Sequence, residues 1–135
     1  MQVQEGEGWR LAVDPSRRPF PVLIGGGGWA AELSAAEARA LRRGIGLLVD
    51  QHRALAETLM AEEAIELELE LELELNPGAL WLALEGDHRH WSLRFVLTGD
   101  AGARGCEGAW ATPASEAVAA ALELASAIDH LAPHS

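Results

Sequence analysis

Strict alternation in one stretch constrains the fold of this chain more than any other feature. From Ile65 to Leu75, every odd position is Leu or Ile and every even position is Glu. Both Leu and Glu favour helices, but a helix would spread the leucines around its axis, whereas a strand places all of them on one face. The repeat therefore predicts one long central β-strand with an apolar face and an acidic face.

Three more strands are predicted after this repeat, each joined to the one before it as a hairpin. Asn76-Pro77-Gly78, directly after the repeat, is a turn signal. A shift of one residue in the pairing would turn a set of apolar side chains towards water, so the apolar faces restrict the register. The predicted pairs are Leu71 with Leu84, Leu84 with Trp91, and Phe95 with Cys106.

The opposite face of the sheet follows from the same register. We predict one outer row of Glu74, Trp81, Arg94 and Glu107, and another of Glu70, Glu85 and His90. Arg94 is predicted to stack on Trp81 and to pair with Glu107. Because Trp and Arg are enriched at the energetic centres of protein interfaces, this face is a candidate for protein interaction. The candidate residues are Trp81, Arg94 and His90.

Two helices complete the predicted fold. Ser34-Ala35-Ala36-Glu37 is a capping box at the start of the first helix, and Thr112-Pro113 is a typical start for the second. Two short strands, at residues 8–14 and 21–24, precede the first helix. The predicted class is α+β, with the element order β-β-α-β-β-β-β-α.

The length of 135 residues suits a single domain covering residues 1–135, and residues 129–135 are predicted to be a frayed tail. The apolar surface of the last helix, which includes Leu124 and Leu131, is wider than one sheet can cover. We therefore predict that part of this surface is buried in a homodimer.

The charge of the chain bears on its partners. The formal net charge is −11 at pH 7. The chain contains ten arginines and no lysine. Such an acidic protein repels nucleic-acid phosphate on average, so nucleic-acid binding would depend on local arginine clusters. The candidate contacts are Arg17, Arg18, Arg39, Arg42 and Arg43.

No motif in the sequence predicts an enzyme, a metal site or a cofactor. A row of equivalent glutamates on an open face differs from the carboxylate pair of a glycosidase and from the loop ligands of a calcium site. The single Cys106 excludes an internal disulfide and a cysteine-based zinc site. The glycines at 25–28 lack the rest of a phosphate-binding motif, so we expect a flexible connection or a bulge. His52, in the apolar seam of the first helix, is either a hydrogen-bonded structural residue or a catalytic or ligand residue.

The sequence contains no targeting or membrane signal. The N-terminal residues lack both the basic region and the apolar run of a signal peptide. No stretch approaches the roughly 20 apolar residues of a membrane span. We therefore expect a cytoplasmic protein without a membrane partner.

Several segments rich in Trp, Gly and Glu follow one another along the chain. They include E-G-E-G-W-R-L-A-V-D-P-S-R-R-P-F-P-V-L-I-G (5–25), G-W-A-A-E-L (28–33), W-L-A-L-E-G-D (81–87) and R-G-C-E-G-A-W (104–110). Together they resemble a small uncharacterised family of cyanobacterial and plastid-lineage proteins. That family is similar in fold to the single-stranded-DNA-binding transcriptional regulators, which include the plant Whirly proteins and the eukaryotic positive cofactor four. The resemblance implies a strongly bent antiparallel sheet with helices, usually assembled as a homodimer.

Two functions are compatible with these observations. The resemblance implies a transcriptional regulator that binds single-stranded nucleic acid, although the lysine-containing strand motif of Whirly proteins is absent here. The alternative is a protein interaction or assembly factor without nucleic-acid binding, because an acidic sheet face suits a basic protein partner. A free arginine stripe would favour the first function, and arginines paired with acidic groups would favour the second.

Overall fold

Eight strands and two α-helices in the described part of the chain form two similar halves, each a four-stranded meander followed by a helix. The computed structural model describes residues 1–58, 60, 62–74, 77–99 and 105–132. The first half contains β1 (Gln2–Gly6), β2 (Trp9–Val13), β3 (Val22–Gly26), β4 (Trp29–Leu33) and α1 (Ala35–Ala56). The second half contains β5 (Ile65–Glu72), β6 (Gly78–Gly86), β7 (Trp91–Gly99), β8 (Cys106–Trp110) and α2 (Ala114–Leu124), followed by a short 3-10 helix (Ser126–His130).

The predicted α+β class, with antiparallel strands and two helices, is confirmed. The strands divide into an N-terminal sheet, β1 to β4, and a C-terminal sheet, β5 to β8, where the resemblance implied one bent sheet. Two of the four strands before α1 were not predicted. β1 is exposed at most of its residues and so lacks an apolar alternation, and β4 reads in the sequence only as an approach to the capping box.

Two tight turns with glycine produce the additional strands. β1 and β2 are joined at Glu7-Gly8, and β3 and β4 are joined at Gly27-Gly28. Gly8 has φ of 80° and Gly28 has φ of 102°, which favours residues without a Cβ. The glycines at 25–28 therefore end one strand and form a hairpin turn, instead of the flexible connection or bulge that we expected.

The C-terminal sheet has the predicted faces but a shifted register. Leu71 lies opposite Leu80, where the sequence predicted Leu84. Leu84 lies opposite Leu93, where Trp91 was predicted, and Cys106 lies opposite Leu97, where Phe95 was predicted. Every shift is an even number of residues, because only odd shifts expose the apolar face to water. The faces thus follow from the sequence, whereas turn lengths decide the exact pairs.

Helix α1 packs on the inner, leucine-rich face of the C-terminal sheet. Its capping box is confirmed, since the Ser34 N–H donates to Glu37 Oε1 at 2.8 Å and the Glu37 N–H donates to Ser34 Oγ at 3.2 Å. The helix lies so close to the sheet that a Cβ on Gly44 would be 2.3 Å from a methyl group of Leu82. A Cβ at Gly46, by contrast, would meet nothing within 4 Å.

An aromatic cluster of Trp29, Phe95 and Trp110 joins the two sheets. Its ring centroids lie between 5.2 Å and 5.7 Å apart. Trp110 Nε1 donates to the Gly25 carbonyl at 2.9 Å, and Trp29 Nε1 donates to the Ala109 carbonyl at 3.2 Å. Each half of the chain therefore supplies a tryptophan that bonds to the backbone of the other half.

The described end of the chain packs against the rest of the protein, and the frayed tail at 129–135 stays a prediction. Leu131 is 6% exposed, and Asp129 forms an ion pair with Arg42 at 2.6 Å. Residues 133–135 lie outside the described part of the chain. The apolar surface predicted for the last helix is also divided, because α2 ends at Leu124 and Leu131 lies beyond the 3-10 helix. The Leu124 side chain is 79% exposed.

Candidate interaction surface

The outer face of the C-terminal sheet, hereafter the acidic face, has an apolar centre and an acidic rim. Trp81 lies between Glu70 on β5 and Val96 on β7, and Val96 lies opposite Glu107 on β8. Trp81 and Val96 are half-buried. The exposed acidic side chains contributed by β5, β6 and β8 are Glu66, Glu68, Glu70, Glu72, Glu85 and Glu107.

The predicted contact between Arg94 and Trp81 is confirmed. The guanidinium carbon of Arg94 lies 5.0 Å from the centroid of the Trp81 ring. The contact is diagonal, because Arg94 lies opposite Ala83 and Ala109 rather than opposite Trp81. At an exposed site such a cation–π contact contributes about 0.5–1 kcal/mol. It also holds the arginine side chain over the apolar centre of the acidic face.

The register corrects both predicted outer rows, and in the second of them Glu85 lies opposite Glu66 rather than Glu70. Glu74 follows β5 and forms an ion pair with Arg39 instead of joining the row of Trp81. Glu107 lies opposite Val96 and not opposite Arg94. The sequence reasoning missed Val96 as a member of the acidic face. Its alternation with Ser92 and Arg94 in β7 was the signal that could have identified it.

His90 does not belong to the acidic face, where the sequence placed it. It lies in the loop between β6 and β7, and its Nδ1 is 3.7 Å from Glu116 Oε2. The carboxylate of Asp87 closes this loop by accepting the backbone N–H groups of His90 and Arg89, both at 2.8 Å. These two bonds lower the pKa of Asp87 below its usual value. The four-residue loop displaces His90 from the strand.

Glu116 fastens α2 to the start of β7 and was not identified from the sequence. Its Oε2 accepts the Thr112 hydroxyl at 2.7 Å and the Trp91 N–H at 3.3 Å. Burial alone would raise the pKa of Glu116, but hydrogen bonds from Thr112, Ser115 and Trp91 outweigh it, and the pKa is lowered. The carboxylate accepts hydrogen bonds that connect α2 to β7. No sequence pattern within α2 predicts that role.

Two of the five candidate nucleic-acid contacts form hydrogen bonds within the fold. Arg42 donates to the carbonyls of Leu122 and Glu123, at 2.8 Å and 2.7 Å, as well as to Asp129. Arg39 donates to Glu74 and, at 3.0 Å, to the carbonyl of Leu131. These side chains are only 17% and 21% exposed, for Arg39 and Arg42 respectively. Arg42 therefore binds the end of α2 and the segment after it. Arg39 binds that same segment and Glu74, which follows β5.

The other three candidate arginines are exposed but do not share one element. Arg17 forms an ion pair with Glu32 at 3.1 Å. Arg18 follows it in the loop between β2 and β3, whereas Arg43 lies on α1. Neither Arg18 nor Arg43 has an ion pair with the described acidic residues. The structure therefore does not join the five predicted arginines into a single free stripe.

His52 occupies a structural position. Its Nε2 is 2.8 Å from the carbonyl oxygen of Asp87, and its ring centroid is 5.9 Å from that of Trp91. The side chain is 6% exposed, so it ties α1 to the loop between β6 and β7. This geometry matches the structural alternative from the sequence. Within the described ranges, no group of three or more His, Cys, Asp and Glu side chains could hold a metal ion.

The described helices were also assessed for length and hydropathy. None of them is both long enough and apolar enough to cross a membrane.

A protein family and a solved structure match the chain. The model of a family described as a domain of unknown function, DUF1818, matches residues 4–125. The chain belongs to this family. A solved protein of unknown function from Prochlorococcus sp. NATL2A, described as belonging to the DUF155 family, is similar to this DUF1818 chain. The two are 36% identical with a TM-score of 0.78, and the match covers 92% of this chain and 98% of that one. No curated protein matches.

These comparisons confirm the coarser part of the sequence-based assignment. The chain belongs to an uncharacterised family, and a solved protein similar to it comes from a cyanobacterium. The descriptions of DUF1818 and of the solved protein state no function, and they name neither Whirly proteins nor positive cofactor four. That more distant resemblance stays a prediction.

Proposed function

We propose that this DUF1818 protein is a non-enzymatic protein interaction or assembly module that binds a basic protein partner through the acidic face. The main support is the Arg94 side chain, whose guanidinium carbon lies 5.0 Å from the centroid of the Trp81 ring in the middle of an open sheet. Val96 and Ala83 extend the apolar centre beside this pair. An apolar centre with Trp and Arg inside a polar rim is the arrangement typical of protein interfaces.

The acidic rim supports a basic partner. Among the residues of the four strands β5, β6, β7 and β8 themselves, Arg94 is the only basic one, whereas β5 alone contributes four exposed glutamates to this face. A partner rich in Lys or Arg would be attracted to the face, and such attraction raises association rates and weakens with salt. The internal use of Arg39 and Arg42 also favours this function over nucleic-acid binding.

Trp81→Ala is expected to weaken partner binding about tenfold, because a truncated interface Trp leaves its pocket unfilled. To find the partner, a photo-crosslinking residue is placed at Thr98, which is exposed on the acidic face, and a second one at Ala54, which is exposed on α1. A partner crosslinked from host extract at Thr98 but not at Ala54 is then purified. Its dissociation constant is measured with wild-type protein and with the variant.

Leu124→Ala provides the matched control, since Leu124 is apolar and 79% exposed but lies on α2. It should leave the dissociation constant unchanged. Equal crosslinking at Thr98 and Ala54, or a purified partner that binds Trp81→Ala as tightly as the wild type, would refute the proposal.

The second candidate function is a transcriptional regulator that binds single-stranded nucleic acid, as the Whirly-like resemblance implies. Exposed Arg18 and Arg43, together with Arg17, are the contacts that this candidate retains. The same resemblance supports a homodimer, for which the exposed Leu124 offers apolar surface. The acidic face opposes the candidate, because platforms for single-stranded nucleic acid are basic grooves with stacking aromatic residues.

This candidate predicts measurable binding of fluorescent single-stranded DNA or RNA at about 50 mM salt, with a steep loss of affinity by about 200 mM, since phosphate contacts release counterions. Replacing Arg17, Arg18 and Arg43 together by Ala should abolish that binding. Fluorescence anisotropy gives the affinity. Absence of binding at the lower salt concentration would eliminate nucleic acid as a ligand while leaving the protein-interaction proposal intact.

A further inference from the structure

β5, which the sequence predicted to be a central strand, is an edge strand whose outer side pairs with no other described strand. The C-terminal sheet has the order β5-β6-β7-β8, so β5 has a neighbour on one side only. It is eight residues long, and four of its residues are exposed glutamates. A long edge of this kind presents a row of unpaired backbone N–H and C=O groups to another chain.

The hydrogen-bond pattern shows which backbone groups face outward. The N–H of Leu73, just after β5, donates to the Gly78 carbonyl at 3.1 Å, in line with the β5–β6 register. In an antiparallel pair, residues alternate between pointing their backbone groups towards one neighbour and towards the other. Odd residues of β5 therefore bond to β6, and even residues point outward. The outward-pointing residues are Glu66, Glu68, Glu70 and Glu72.

The inner face of the same edge is incompletely covered. Leu67, Leu69 and Leu71 are half-buried, whereas Leu80 and Leu82, their neighbours on β6, are fully buried. An added strand would cover the exposed parts of these leucines with its own apolar side chains. The edge thus offers three features that an added strand can match: unpaired backbone groups, a row of carboxylates and a row of partly covered leucines.

We propose that the edge of β5 accepts an extended segment of a partner protein as an additional antiparallel strand, with Arg or Lys at every second position and apolar residues between them. In that arrangement the basic residues lie opposite the glutamates on the acidic face, and the apolar residues lie beside the leucines. Main-chain hydrogen bonds supply affinity, and the alternating side chains supply specificity. This inference rests on the proposed function and specifies the chemistry of its partner.

A second copy of this chain fits the edge poorly. Two β5 strands that keep their leucines on the same face must also place glutamates opposite glutamates, since the side-chain period is two residues. Like charges directly opposite each other destabilise a strand pair. The same glutamates that attract a basic strand thereby oppose edge-to-edge pairing of the protein with itself.

The test uses fluorescent peptides and the full chain. An Arg-Val-Arg-Val-Arg-Val-Arg peptide is compared with a block peptide of the same composition, Arg-Arg-Arg-Arg-Val-Val-Val, by fluorescence anisotropy. The alternating peptide is expected to bind at least about tenfold more tightly, since only it matches both faces of β5. Equal affinities would reduce the interaction to net charge and overturn the proposal.

Two N-methylated forms of the alternating peptide test the backbone pairing. In antiparallel pairing, residues opposite Glu68 and Glu70 direct their N–H groups to β5. Methylation of the arginine nitrogens should therefore abolish binding, and methylation of the valine nitrogens should preserve it. The reverse pattern, or equal loss in both forms, would overturn the antiparallel arrangement.

A pair of variants locates the site. Glu68→Lys with Glu70→Lys should lower peptide affinity by about tenfold or more, because the two changes reverse the charge of the rim at the centre of β5. Glu7→Lys with Glu63→Lys changes the net charge equally at exposed positions outside β5 and should have little effect on peptide affinity.

Fast hydrogen exchange at residues 66, 68, 70 and 72 in the free protein, slowed by the peptide, would support the proposal. Protection without peptide would mean that another copy already covers the edge, which overturns it.

The outcome is separable from that of the proposed function. If the alternating peptide fails to bind while Trp81→Ala still weakens the purified partner, the acidic face remains the interface and the edge strand is excluded. If the peptide binds at β5 and no partner depends on Trp81, the edge proposal is supported and the face proposal fails.

Discussion

Replacing Trp110 by Ala is expected to destabilise the protein by about 3–5 kcal/mol, the largest effect that we predict for a single substitution. The Trp110 side chain is 1% exposed and contacts Trp29 and Phe95, with ring centroids 5.2 Å and 5.6 Å away. Its removal leaves a cavity where the two sheets meet. The Gly25 carbonyl also loses its bond from the indole nitrogen in a buried setting.

The loss should be measured as the free energy of unfolding by urea titration followed with circular dichroism. Trp110→Phe separates the two contributions, because it retains an aromatic ring and removes the donor to Gly25, and it should lose less stability than Trp110→Ala. Trp9→Ala is the matched control for a half-buried Trp outside the cluster, with an expected loss of about 1–2 kcal/mol. Equal losses for Trp110→Ala and Trp9→Ala would contradict the role of the aromatic cluster.

Arg42→Ala is expected to destabilise the protein by about 2–3 kcal/mol, whereas Arg43→Ala should change the stability by less than about 0.5 kcal/mol. Arg42 donates to two carbonyls at the end of α2 and to Asp129. These groups remain after the substitution without their cationic donor, and the 3-10 helix loses one of its links to α1, since the bonds from Arg39 to the Ile128 and Leu131 carbonyls remain. Arg43 is exposed and takes no part in this network.

The adjacent arginines make a demanding comparison, because the two variants change the net charge and the composition of α1 equally. Thermal unfolding of both proteins in the same buffer would measure the difference. For a chain of this length the Arg42 variant should unfold roughly 5–15 °C lower. Similar midpoints for the two variants would show that the bonds from Arg42 to α2 contribute little.

Some of this structure could be predicted from the sequence because the controlling interactions are local. The Leu-Glu alternation decides β5 by itself, and Ser34 with Glu37 decides where α1 begins. The contact between Arg94 and Trp81 was predicted correctly although the predicted register was wrong, because long side chains reach diagonal neighbours as well as residues directly opposite. Patterns with a short, fixed spacing along the chain can therefore be recognised in the sequence.

The remainder depends on groups that sequence patterns do not display. Arg42 is a candidate nucleic-acid contact in the sequence, but two of its acceptors are the backbone carbonyls of Leu122 and Glu123, and any residue type supplies a carbonyl. The register shifts were invisible because every even shift preserves the apolar face. His90 moved off the acidic face because Asp87 closes a longer loop than the sequence suggested.

The reciprocal bonds between the two sheets have a consequence for the folding of the chain as a whole. Trp29 from the first half reaches Ala109, and Trp110 from the second half reaches Gly25. Each meander therefore depends on a ring and a backbone acceptor that only the other meander provides. The duplicated architecture suggests two independent units. The contacts between the two sheets make them a single cooperative unit, which is stable only when both halves are present.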